Sequence, residues 1–275
     1  MTAEVWMGYL VDHQHDFTVI QSPFTLRGVR VFGADSDATT LAVAALFHRL
    51  QHEEISSLAI PDGIDESTVA VATSVCVHTD ESVDPAWDLL LSDEATVVLA
   101  RQGAHVELTN FDVAVEVDEA FHTAMDEAWG QELSDTHVSQ GAYVSRSQYQ
   151  EAAEPRLSLL GQHVHDTVVW PPRFTNVVKG QANNAHALKA NGTILSWTTL
   201  SAAGAPSEFS LRAPLLGGIS TVFLRLDDGP NGVFLTVDDE ETPLAMDQAM
   251  ELVLRRIYAQ EGFIRYGLKA RAILG

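Results

Sequence analysis

The sequence predicts a two-domain α+β protein, an α/β first half joined to a small closed β-barrel. Three observations carry this expectation. A strand–helix–strand pattern opens the chain, short strands separated by turn signals fill its last third, and charge divides sharply between the halves. The 275 residues hold 16 Lys plus Arg against 38 Asp plus Glu, a net charge of −22. Residues 1–140 carry 4 basic and 25 acidic side chains, whereas residues 141–275 carry 12 and 13. The polar stretch 135–148, with Gly141, is the natural junction, so domains of 1–140 and 141–275 are expected.

In the first half, Val5–Val11, Phe17–Ile20 and Val29–Phe32 read as strands, and Gly33 closes the last run. Ser36 or Asp37 can cap the helix that follows, with Leu41, Ala44, Ala45 and His48 at helical spacing. Ile55–Ile60 is a short strand ended by Pro61-Asp-Gly. Further strands are expected at Val69–Val77, Ala95–Ala100 and His105–Phe111, and helices at Pro85–Leu91 and Asp118–Gln131. In the second half a helix over Tyr149–Leu160 precedes Val164–Trp170 and Pro171-Pro172-Arg173. After Asn191-Gly192 come strands at Thr193–Leu200, Glu208–Leu211, Ile219–Leu226, Gly232–Val237, Met250–Ala259 and Phe263–Ala272.

Composition excludes several functions. A chain this acidic repels phosphate and lacks the clustered Lys and Arg that release counterions, so neither nucleic acid nor an anionic membrane is an expected partner. The lone Cys76 leaves no intramolecular disulfide and no multi-Cys zinc site. The opening residues lack a basic segment followed by a long apolar one, and no run of 18 apolar residues occurs. A cytoplasmic protein is the expectation.

Pro171-Pro172-Arg173, Gly192-Thr-Ile-Leu-Ser-Trp-Thr198 and Val222-Phe-Leu-Arg-Leu-Asp-Asp-Gly229 together give the second half a family likeness. Over roughly residues 143–275 it resembles the OB-fold proteins that accompany thiolases and 3-hydroxy-3-methylglutaryl-CoA (HMG-CoA) synthases. Those proteins carry a helix, a rubredoxin-like zinc ribbon and an OB barrel. Counted from Pro-Pro-Arg, the four zinc-ligand positions of that family fall on Gln162, His165, Asn176 and Lys179. Only His165 is a zinc-type ligand, so the ribbon is degenerate and no metal is expected in it. In the first half, Met7-Gly-Tyr-Leu-Val11 and Asp35-Ser-Asp-Ala-Thr-Thr-Leu-Ala-Val-Ala-Ala-Leu46 resemble the first strand and first long helix of HMG-CoA synthases. Ala95–Phe111 is similar to a later strand pair of that half-domain. The resemblance implies a shortened thiolase-fold domain followed by an OB-fold domain.

It also implies a function: a non-catalytic accessory subunit that binds a thiolase-superfamily enzyme, a thiolase or an HMG-CoA synthase, in a hetero-oligomer. No tightly bound cofactor is expected, and acyl-CoA at an interface shared with the partner is the implied ligand. Arg173 and Arg212 are candidates to meet CoA phosphates or to form structural or partner salt bridges, and Trp197 to pack in the core or contact the partner or the pantetheine. The alternatives are an acyl-CoA-handling enzyme using Cys76, or a scaffold without CoA. Cys76 and His78 share one face of a strand at i,i+2, but acids follow at Asp80, Glu81 and Asp84, and a buried structural Cys is expected. Among the eleven histidines, His13 and His15 form a strand-like pair, and His48 and His52 stand at i,i+4 on one helical face. That spacing suits a metal, yet the sequence places no third ligand beside it, so solvated or partner-facing histidines are expected. Asp227-Asp228-Gly229 and Asp238-Asp-Glu-Glu241 read as turn and loop acids.

Overall fold

The run Val5–Val11, expected as one strand, is a hairpin. Met7 and Gly8 both adopt positive φ, 52° and 87°, which the favoured two-residue hairpin turn requires. β1 (Glu4–Trp6) therefore folds back on β2 (Tyr9–His13). The computed structural model describes residues 4–78, 85–108, 111–134, 136–137, 145–172, 185–239 and 243–273. It is a mixed α+β structure of two units, residues 1–123 and 124–275. The change of unit falls inside a helix, Glu119–Leu133, which the expected junction at 135–148 directly follows.

In the first unit, β3 (Phe17–Gln21), β4 (Phe24–Leu26) and β5 (Val29–Arg30) precede α1 (Ala38–Leu50). The Asp37 side chain accepts from the Thr40 N–H while the Thr40 hydroxyl accepts from the Asp37 N–H, a reciprocal cap that fixes where α1 begins. Eleven of its 13 residues are buried, so α1 is a core helix with no broad polar face. It packs on β3 and on β9 (Thr96–Arg101). With β6 (Ser57–Ala59), β7 (Cys76–His78) and β8 (Trp87–Ser92), the main sheet runs β1-β2-β3-β9-β8-β6-β7. A short strand β10 (Val115–Glu116) joins β4 and β5 in a second sheet.

Two expected elements of this unit change type. Val69–Val77 is not one strand: Glu66–Thr73 form α2, capped by Asp65 on the Thr68 N–H and ended by Ser74 at φ 60°. Only Cys76–His78 remains extended, paired parallel to β6. Pro85–Leu91 is not a helix, because Trp87–Ser92 pairs antiparallel with β9 along its whole length. Among residues 105–108 and Phe111 no strand forms.

The helix that bridges the units is α3 (Glu119–Leu133). The second unit continues with α4 (Arg146–Leu157), opened by a Ser145–Gln148 capping box. Next is a small sheet of β11 (Leu160–Val164), β12 (Thr167–Val169) and β13 (Ala185–Ala187). Five strands close a barrel in the order β14-β15-β16-β18-β17: β14 (Asn191–Leu200), β15 (Ile219–Leu226), β16 (Asn231–Thr236), β17 (Ala249–Gln260) and β18 (Phe263–Ala272). The expected strand Glu208–Leu211 is instead a 3₁₀ turn over Ser207–Phe209, outside the barrel. Ile194, Val222, Leu224, Phe234 and Leu252 fill the apolar core. Gly192 lets β14 approach β15, since a Cβ there would lie 2.6 Å from the Arg225 carbonyl oxygen.

The same unit also buries charge. Arg212, with no exposed surface, donates from Nε to Glu132 Oε1 at 2.9 Å and from Nη2 to the Ile257 carbonyl at 2.8 Å. Trp129 lies under the guanidinium at 3.9 Å. Lys269 pairs with Asp238 at 2.9 Å, and Arg255 reaches Asp239 at 3.6 Å. Burial raises the Glu132 carboxyl above its ordinary pKa, against the opposing pull of Arg212. No helix among the described residues is long and apolar enough to cross a membrane.

Candidate functional site

The closed barrel has one short junction. β16 and β18 run parallel and pair at only two positions, Leu235 with Lys269 and Thr236 with Ala270. Away from that seam the two strands part, and α4 packs against β18 beside the opening. Tyr149 on α4 bridges the gap. Its hydroxyl donates to the Tyr266 carbonyl at 3.1 Å and accepts from the Tyr266 N–H at 2.9 Å. These are two main-chain groups that a neighbouring strand would otherwise satisfy.

The opening is a cavity of about 790 Å³, a size typical of small-molecule sites. Its walls include Tyr149, Trp170, Phe234, Tyr258 and the cations Arg156 and Arg265, and no carboxylate is among the described residues that line it. Trp170 stacks on Phe234 with centroids 5.3 Å apart, and its indole N–H donates to the Pro155 carbonyl at 3.1 Å, which fixes this wall. Gly267 lets Ile257, another lining residue, pack close to the β18 backbone, because a Cβ there would meet it at 2.8 Å.

Arg265 is the chemically informative residue. It is 2% exposed, faces Tyr258 as its cross-strand partner, and sits 5.0 Å over the Tyr149 ring. It hydrogen-bonds the Tyr258 side chain, yet its Nε and Nη2 are buried without any hydrogen-bond partner. Leaving buried guanidinium N–H groups unpaired costs about 1–3 kcal/mol or more. A carboxylate or phosphate meets a guanidinium in bidentate geometry, and Arg265 is one of two arginines that line the cavity. Burial raises the Tyr258 phenol above its ordinary pKa, with Glu208 adding to the shift and Arg265 opposing it. Tyr258 therefore stays a neutral O–H near neutral pH. An aromatic and aliphatic box with a buried cation suits an amphipathic organic anion.

The residues singled out from sequence fall elsewhere. Arg212 is bonded to Glu132 in the interior. Trp197 is 43% exposed on β14, and neither residue lines the cavity. Arg173, Asn176 and Lys179 lie outside the described residues. Gln162 is on β11 with its Oε1 buried and unpartnered, and His165 is exposed in the β11–β12 turn at φ 55°. Cys76 is exposed, not buried as expected, because it starts β7 at the edge of the main sheet. Its Sγ lies 3.6 Å from His78 Nε2, the contact that the i,i+2 spacing allows. Sequence reasoning missed Arg265, Tyr258 and Tyr149, although the alternation Arg265, Gly267, Lys269 along β18 held a signal: two cations sharing one face of a strand.

The chain matches no protein-family model, and no curated protein is similar enough to count as a relative.

Proposed function

We propose that this chain is a non-catalytic accessory subunit whose barrel unit binds an acyl-CoA-type anion and presents it to a thiolase-superfamily partner. The carrying observation is the buried Arg265 guanidinium, with two unpartnered nitrogens, beside an aromatic cavity with no carboxylate among the described residues that line it. A closed five-stranded barrel in which the third and fifth strands are parallel supports the OB-fold reading of residues 141–275. The Asp35–Leu46 motif on the buried helix α1 supports reading the first half as a shortened thiolase-type domain. The apolar walls take the acyl chain or pantetheine, Arg265 takes a carboxylate or phosphate, and the Tyr258 phenol donates beside it. Among the described residues that line the cavity there is no Cys, Ser, Lys or His, and chemistry on the thioester falls to the partner.

The test is calorimetric titration of the full chain with acetoacetyl-CoA and with free CoA. Binding of acetoacetyl-CoA that weakens at least about tenfold in Arg265→Gln supports the reading, in line with about 1.5–3 kcal/mol for a hydrogen bond to a charged group. Absence of binding, or equal affinity in the variant, overturns it. The exposed Cys76–His78 contact favours a second reading, an acyl-enzyme in its own right. A covalent acyl adduct found by mass, and lost in Cys76→Ala, would replace the accessory reading with that one.

A further inference from the structure

The first unit holds a cluster of imidazoles that the acyl-anion reading does not use. His48 lies in the last turn of α1 and His52 just beyond its end, and the third member, His13, ends β2, 35 positions before His48. One ligand nitrogen from each lies within 4.8 Å of the other two. Ring centroids are 4.5 Å apart for His13 and His52, 5.0 Å for His13 and His48, and 5.4 Å for His48 and His52. A tetrahedral zinc ion with nitrogens at about 2.0–2.1 Å sets its ligands roughly 3.4 Å apart, so small ring rotations close the set.

The surroundings orient these rings as metal ligands are oriented. His13 Nδ1 lies 3.0 Å from the hydroxyl of Thr18, which is fully buried on β3. With the Nδ1 proton on that hydroxyl, Nε2 carries the lone pair, the usual arrangement behind a metal-bound imidazole. His48 is 3% exposed, with Trp6 edge-on to its ring at 5.4 Å, and its Nδ1 is buried without a hydrogen-bond partner. Its Nε2 is 3.4 Å from the Glu4 carboxylate, whose side chain is largely exposed and free to turn. His52 is exposed and provides the entry path.

One feature opposes a cation. Arg49 Nη1 approaches both ring nitrogens of His13 at 3.5 Å. That guanidinium is committed elsewhere: it donates to the Gln14 and His15 carbonyls and is ion-paired with Glu53, which also holds Arg101. Its charge is thus largely balanced, and Glu4 adds the negative charge a dication needs.

We propose that His13, His48 and His52 form a binding site for a divalent transition metal of the zinc, cobalt or nickel type, with Glu4 as fourth ligand or charge partner. Imidazole donors select these ions over magnesium and calcium, which take oxygen ligands. Bound there, the ion ties the end of β2 to the end of α1 across the face of the sheet.

The test uses the full chain freed of metal by chelation. Cobalt(II) is added as a spectroscopic probe, zinc in competition and magnesium as control. The expected result is one cobalt per chain with the visible absorption of a tetrahedral site, displacement by zinc, a rise in thermal midpoint, and no response to magnesium. His52→Ala, at an exposed position that spares the fold, lowers cobalt affinity at least about tenfold, and Glu4→Gln lowers it less. No cobalt spectrum, or a spectrum unchanged in both His52→Ala and His13→Gln, overturns the site. So does a spectrum lost in His163→Ala instead, because His163 and His186 form a separate stacked pair in the second unit.

Discussion

The two units differ in how much charge they bury. The first unit surrounds α1 with apolar side chains, with Leu41, Ala42, Val43, Ala45 and Leu46 all fully buried. It buries fewer cations, Arg30 and Arg49, together with Asp35 and His48, and leaves Cys76 exposed on an edge strand. The barrel unit carries charge into its interior, where Arg212, Arg255, Arg265, Lys269 and Arg271 are all at least nine-tenths buried. The near-neutral sum over residues 141–275 is therefore no guide to its surface, because much of its positive charge is inside.

Four changes would break or sharpen this contrast, read by hydrogen exchange so that the units report separately. The largest effect belongs to Glu132→Ala, which strands Arg212 in the interior and is expected to cost about 3–5 kcal/mol in the barrel unit. Glu132→Gln is expected to cost clearly less, because it keeps an acceptor for Arg212 and removes a carboxylate whose charge burial disfavours. An equal loss for the two variants would show that the ionic charge itself matters. Next, Leu41→Ala should cost the first unit about 3 kcal/mol through the cavity it leaves in a helix buried all round. A loss near zero would mean that α1 is not the core of that unit. Asp37→Ala removes the reciprocal cap on α1 and should cost about 1 kcal/mol by the same measurement.

The smallest effect is a pH dependence confined to the first unit. Burial, the largest cause for each, holds both His13 and His48 below the ordinary histidine pKa. Arg49 and His52 push the same way for both, and Glu4 opposes. A depressed histidine favours the folded state above its unfolded pKa, and that contribution is lost as pH falls through the folded value. In the metal-free protein, exchange protection of α1 should therefore decline as pH drops below about 6.5, and decline less in His48→Gln. A rise in protection over that range would contradict the assigned burial.

Local signals were legible in the sequence wherever a short window decides structure. The Asp37 cap of α1 and the turn at Asp227–Gly229 can be read from neighbouring residues, and the barrel strands β14 to β18 follow. The run Val69–Val77 misleads because alternating Val and Ala suit a strand, whereas Asp65 capping Thr68 and the packing of α2 on α1 decide for a helix. The sites were less legible, since each joins residues far apart in sequence. Tyr149 meets Tyr266 across 117 positions, and His13 joins His48 and His52 only once β2 and α1 pack together. Spacing rules reach along a single helix or strand, so they suggested the His48–His52 pair and could not supply its third member.

The Tyr149 hydroxyl has a consequence for how the molecule keeps to itself. By holding one N–H and one C=O of Tyr266, a single oxygen stands in for a missing strand at the parted seam of the barrel. Replacing it with hydrogen in Tyr149→Phe leaves the ring in place but bares a short edge of main chain. Such an edge is a template on which another chain can add a strand. The wall of a ligand cavity would then double as a guard against self-association.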